Sequence, residues 1–182
     1  VSQPLRRSVS RAGKGASVGG DDPHPLRRPA ARPYIQSGNV LLSAPSDTGG
    51  DRLEADLGAV IDRHLGLSVA VVVRSHEQMR QVVSEAPAGF GEAPETFLSD
   101  TVFLKSPLAS VDALRVMRLR EGVDAAWSGD GVLYFRRLSA RRSQSRMGAI
   151  VGSPEYRRMT IRNWATTTTL VARLDASADA PS

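Results

Sequence analysis

Nine arginines stand between residues 136 and 173 of this chain, against one carboxylate, Glu155. A guanidinium is planar, permanently charged and able to hold a phosphate through two parallel N–H donors. This density therefore points to an anionic partner, a phosphorylated ligand or a nucleic acid. The candidates are Arg141, Arg142, Arg146, Arg157 and Arg158. A solvated arginine surface is the competing explanation. Lys14 and Lys105 are the only lysines beside 22 arginines, a usage that reads as codon bias in a GC-rich genome. Plaits that bind single-stranded RNA stack bases on aromatic side chains of an open sheet face. Tyr134 and Phe135 are adjacent, so one is expected to face helices and the other outward, leaving one stacking candidate.

A second constellation is Arg162–Asn163–Trp164, just before a run of threonines. Arg162 and Asn163 could hold a ligand against the indole, with Gln36, Ser37 and Asn39 from the Tyr34–Val40 stretch converging on it. The alternative is structural, with Trp164 packing the last helix and Asn163 satisfying backbone groups.

Other chemistries find little support. There is no cysteine, which removes disulfides, thiolate metal sites and cysteine nucleophiles. His24, His64 and His76 are scattered, so no metal site is expected. His64 falls near a helix C-terminus, where positive charge is favoured. No plausible Ser–His–acid order for nucleophilic catalysis is seen, and Gly13–Gly20, with no strand pattern before it, fits neither a Walker A loop nor G-x-G-x-x-G. The carboxylates of residues 47–62 read as the solvated face of an amphipathic helix. No cofactor is implied.

The net charge of +5 has two sources. Residues 1–33 hold seven cations and two anions; residues 34–112 are acidic and 113–182 basic. The tail carries prolines and glycines without apolar periodicity and is expected to be disordered. No apolar run approaches the roughly 20 residues of a membrane span, so a soluble cytoplasmic protein without membrane contact is expected.

The elements that must position these residues follow from periodicity. Tyr34–Gln36 and Val40–Leu42 flank a Ser37–Gly38–Asn39 turn, a hairpin. Leu53, Leu57, Val60, Ile61 and Leu65 form one stripe of a helix over 51–65, stopped by Gly66. Val69–Val73 reads as a buried strand. Ser75 and Gln78 make a capping box for a helix burying Met79, Val82 and Val83. Residues 87–96 read as a linker. A strand at 101–104, a helix capped by Ser110, a hairpin through Ser128–Gly131, a helix over 144–151, a strand at 160–164 and a helix over 166–174 follow. S-G-N-V-L-L and S-G-D-G-V-L-Y recur at matching places. The βαββαβ order predicts an α+β chain of two tandem ferredoxin-like plaits. The first spans 34–86 and lacks a recognisable first strand and helix. The second spans 97–174, and 175–182 form a disordered tail.

Y-I-Q-S-G-N-V-L at 34–41, the capped helix after Val-Val-Val-Arg, and T-I-R-N-W-A-T at 160–166 resemble the bacterial domain-of-unknown-function family 1697 over about residues 34–174. The resemblance implies a cytoplasmic α+β protein of two ferredoxin-like subdomains and no established activity. Members begin with an apolar strand running into R-G-x-N-V-G-G, and only K-G-A-S-V-G-G at 14–20 echoes it. Residues 1–33 are accordingly expected to reflect a frameshift or misplaced start. Gln144 and Thr169 stand where the family pattern has lysines. The functional expectation is a non-enzymatic binding or interaction module, self-associating through exposed strand edges. Nucleic-acid or phosphorylated-ligand binding by the arginine block, and an enzyme site around Arg162–Trp164, stand as alternatives.

Overall fold

The computed structural model describes residues 32–34, 38–45 and 48–178. The expected disordered tail and frameshift span residues 1–33; residues 1–31 lie outside the described ones, as do Gln36 and Ser37, whereas Arg32 and Pro33 belong to a strand. The chain divides into two compact units, residues 1–43 and 44–182.

In the first unit, β1 (Arg32–Tyr34) pairs antiparallel with β2 (Asn39–Leu41), matching Tyr34 to Asn39 and Arg32 to Leu41. Gly38, at φ 73°, supplies the left-handed turn residue that the sequence placed there.

The second unit opens with α1 (Gly50–Leu65), closed as expected by Gly66 at φ 64°. Its inner face differs from expectation. Leu53, Leu57 and Ile61 are half-buried and Val60 and Leu65 exposed, while the one buried residue is Glu54. Residues 66–75 follow without regular structure, so the strand expected at Val69–Val73 is absent. A strand needs a neighbouring ladder. Here side chains stand in for one: the Val73 N–H donates to Glu54 Oε1 at 2.8 Å and Lys105 Nζ donates to the Val71 carbonyl at 3.2 Å. Helix α2 (His76–Ser84) starts with the expected capping box, both reciprocal bonds present between Ser75 and Gln78, and buries Met79 and Val82.

The rest forms a four-stranded antiparallel sheet in the order β4-β5-β3-β6, covered on both faces. The strands are β3 (Phe97–Leu104), β4 (Asp124–Gly129), β5 (Val132–Leu138) and β6 (Met159–Asn163). Between β3 and β4 lies α3 (Ser110–Val116). Its N-cap is Ala109 without a side-chain bond, so Ser110 is the first helical residue rather than the cap. The helix expected over 144–151 is replaced by three 3-10 turns, Ser139–Gln144, Met147–Gly152 and Pro154–Arg158. Gly148, Gly152 and Pro154 are poor helix formers and break it into pieces. Helix α4 (Trp164–Ala178) begins at the Trp expected to end β6 and extends past the expected stop at Leu174.

Strand alternation sorts the side chains. Val102, Leu104, Leu133, Phe135 and Met159 pack on one face with Ala113 and Met117 from the α3 segment and Ile150 from the 3-10 turns. On the other face the Tyr134 hydroxyl donates to the Val82 carbonyl at 2.8 Å, and Thr101 meets Thr167. Tyr134 and Phe135 are each 1% exposed. The outward stacking residue expected of this pair does not exist, because helices or turns cover both faces. No helix among the described residues is long and apolar enough to cross a membrane.

Candidate functional site

A cleft of the second unit with a volume of about 620 Å³ runs between the start of α1, the Gln78–Glu85 side of α2 and the β4–β5 turn. Its centre is Glu54. One carboxylate oxygen takes the Val73 N–H; the other lies 3.3 Å from Lys105 Nζ. Arg74 Nη1 stands 3.9 Å from Glu54 and donates to the Val73 carbonyl, while Nη2 donates to the carbonyls of Leu104 and Gly131. Burial lowers the Arg74 pKa, and Glu54, Asp130 and Asp51 oppose that shift. Gly131, at φ 62°, is required for its turn, and a Cβ there would also meet Arg74 Nη2 at 3.1 Å. The cluster thus ties α1, residues 71–74, the end of β3 and the β4–β5 turn together. A carboxylate whose two oxygens both hold partners is a structural clamp rather than a free acid or base. The expectation that the carboxylates of 47–62 form a solvated face is corrected at Glu54.

On β6, Arg162 lies across from Thr101 and is half-buried. Its Nη1 donates to Thr160 Oγ1 at 2.9 Å and to the Ile161 carbonyl at 2.7 Å, and burial lowers its pKa. Asn163 Oδ1 accepts the Thr166 N–H at 2.7 Å, an N-cap that starts α4. Trp164 stacks edge-on against Phe90, 5.0 Å between centroids, and lies so close to Gly91 that a Cβ there would sit 2.0 Å from its Cδ1. Phe90 also meets Tyr134 and Trp127. Each of these three neighbours thus makes contacts within the fold. Asn39 sits in β2 of the first unit, half-buried.

A family described as "Protein of unknown function (DUF1697)" matches residues 29–134, more than half of the chain. The chain belongs to this family. The match includes Tyr34–Leu41 and Val71–Arg74 and ends before Arg162. A conserved bacterial protein, SP0830 from Streptococcus pneumoniae, shares the fold at TM-score 0.65 and 18% identity, over 80% of this chain and 81% of that one. No curated protein matches the sequence.

In this DUF1697 chain the arginine block divides in two. Arg137 pairs with Asp100 at 2.8 Å, although burial still pushes the Asp100 carboxyl up. Arg136 lies over the rings of Phe97 and Trp127. Arg141, Arg142, Arg146, Arg157 and Arg158 are exposed on the 3-10 turns. Gln144, in place of the family lysine, accepts from Arg120 at 3.4 Å, and the Thr169 hydroxyl donates to the Ala165 carbonyl. Sequence reasoning missed Glu54, Phe90 and Asp175. Glu54 had a readable signal, since it sits beside Leu53 and three residues before Leu57 on the inward arc of α1.

Proposed function

We propose that this chain is a non-enzymatic interaction module that self-associates through the backbone edge of residues 67–73. The observation that carries this is an apolar segment with no strand partner among the described residues. The Val71 carbonyl and the Val73 N–H meet the same Lys105–Glu54 pair. That two-residue alternation is the habit of an extended chain, and it directs the N–H and C=O of Ala70 and Val72 the other way. Leu67 and Val69 are about half-exposed beside Val60 and Leu65, also exposed. An edge of this kind pairs with its own copy about a twofold axis, because an antiparallel pair of identical edges is self-complementary.

The same reading takes the fold as two tandem ferredoxin-like plaits, the second over 97–174. The sequential β3, α3, β4, β5, 3-10 turns and β6, in the spatial order β6-β3-β5-β4, support it. Residues 69–73 then correspond to a strand of an incomplete first plait, which accounts for the unpaired edge. The engagement of Glu54, Arg74 and Asn163 with backbone groups supports the non-enzymatic part.

Light scattering coupled to size exclusion tests this on the full chain. A concentration-dependent dimer is expected, with the Leu67→Lys/Val69→Lys variant monomeric and its circular dichroism unchanged. A parent that stays monomeric up to near-millimolar concentration, or a folded variant that assembles like the parent, overturns it.

A further inference from the structure

We propose that the layer of α3 and the 3-10 turns is a binding face for a nucleic-acid duplex, gripped through its phosphates without base readout. Charge is partitioned across the second unit. Residues 110–121 and 139–158 hold eight arginines against three carboxylates, whereas residues 50–65, 76–85 and 164–178 hold seven carboxylates against four arginines. A genome-wide preference for arginine codons would raise arginine in every element; it does not sort charge by layer.

Most arginines of this layer are also available, Arg115, paired with Asp112, and Arg120, bonded to Gln144, being the exceptions. Arg118, Arg141, Arg142, Arg146 and Arg157 are exposed and form no ion pair with the described residues. Arg158 gives one N–H to the Ser106 carbonyl at 3.0 Å. Elsewhere Arg74, Arg80 and Arg137 have carboxylate partners.

The layer is anchored. Ile150 is buried in the sheet core with Met147 and Tyr156 packed against it, and Asp124 Oδ2 accepts the backbone N–H groups of Arg120 and Arg146 at 3.0 and 2.9 Å. These anchors fix the backbone from which the guanidinia project. Fixed, planar donors favour bidentate phosphate contacts.

A duplex fits better than a single strand. Sequence-tolerant single-strand sites stack bases on exposed aromatics, and Tyr134 and Phe135 are buried. A duplex offers the densest line of phosphates and asks for no stacking. The isolated aliphatics Val111, Leu119 and Val151 are exposed on this layer, but they lack the aromatic and leucine stripe that embeds a helix in a bilayer.

This inference concerns a different surface from the 67–73 edge and does not rest on it; a monomer that binds DNA would keep one and overturn the other. Fluorescence anisotropy with two labelled DNA duplexes of unrelated sequence, over a salt series, tests it on the full chain. Both sequences are expected to bind alike, with a log–log slope of about −0.9 per phosphate contacted. Arg141→Gln/Arg142→Gln/Arg157→Gln is expected to weaken binding at least about tenfold and flatten the slope by about 2 to 3. Arg6→Gln/Arg7→Gln/Arg11→Gln is expected to leave both little changed. No binding at low salt, a loss seen only with the tail variant, or equal affinity of the face variant overturns the proposal. So does retention on anionic phospholipid vesicles at salt that abolishes duplex binding.

Discussion

Glu54 shows how one side chain decides the local architecture. It is 4% exposed, which would be prohibitive for an isolated carboxylate, and it is tolerated because Arg74, Lys105 and the Val73 N–H all converge on it. Such clusters contribute little net stability relative to an apolar substitute, but breaking one side leaves buried charge uncompensated. Glu54→Gln is therefore expected to destabilise the fold by about 3 kcal/mol. Urea unfolding reads this directly; a shift below about 0.5 kcal/mol, the range of ordinary surface changes, would show the cluster to be loosely held. Gly91 is a further residue whose identity is fixed by a contact, since its missing side chain leaves the space that Trp164 fills.

At the scale of elements, α2 and α4 are joined at their solvent edge by Asp175. It lies 2.6 Å from His76 Nε2 and 2.7 Å from Arg80 Nε. The hydrogen bonds from His76 and then Arg80 lower the Asp175 pKa. A depressed folded-state pKa contributes stability that is full above the unfolded value, about 3.9, and fades as pH falls through the lowered one. Asp175→Asn should thus melt below the parent at neutral pH, and the gap should close as pH drops below about 4. Melting curves at a series of pH values decide it; a gap undiminished at about pH 2 would place the effect in packing rather than in the carboxylate's charge. The elements themselves were unequally legible. The Ser75–Gln78 capping box, the Gly66 stop and both Gly-containing hairpins depend on residues adjacent in the chain and could be read there. The helix over 144–151 could not, because the choice between an α-helix and 3-10 turns rests on how Met147, Ile150 and Tyr156 seat on the sheet.

Across the whole molecule, the second unit is a sheet with its two most central strands, β5 and β3, enclosed on both sides. Val102, Leu133, Tyr134 and Phe135 are all at most 1% exposed. Backbone amides there open only when the unit unfolds, whereas β4 and β6 are the outer strands and the 3-10 turns lie outside the ladder. Hydrogen exchange is expected to be slowest in 98–103 and 132–136 and faster by orders of magnitude in 139–158. Comparable rates in the two regions would mean the turns belong to the same cooperative core.

The chain by itself determined the local pieces, the α+β class and the family, because caps, turns and apolar stripes are short-range signals. It also exposed the arginine block. Tertiary structure alone decided that Tyr134 and Phe135 are both enclosed, that Arg136 and Arg137 are engaged while Arg141, Arg142 and Arg157 are not, and that a glutamate in the first helix is buried. It also decided that the valine run at 69–73 has no ladder partner among the described residues. Each of these outcomes depends on which residues, distant in sequence, are brought within a few ångströms, and periodicity along one segment carries no information about its neighbour.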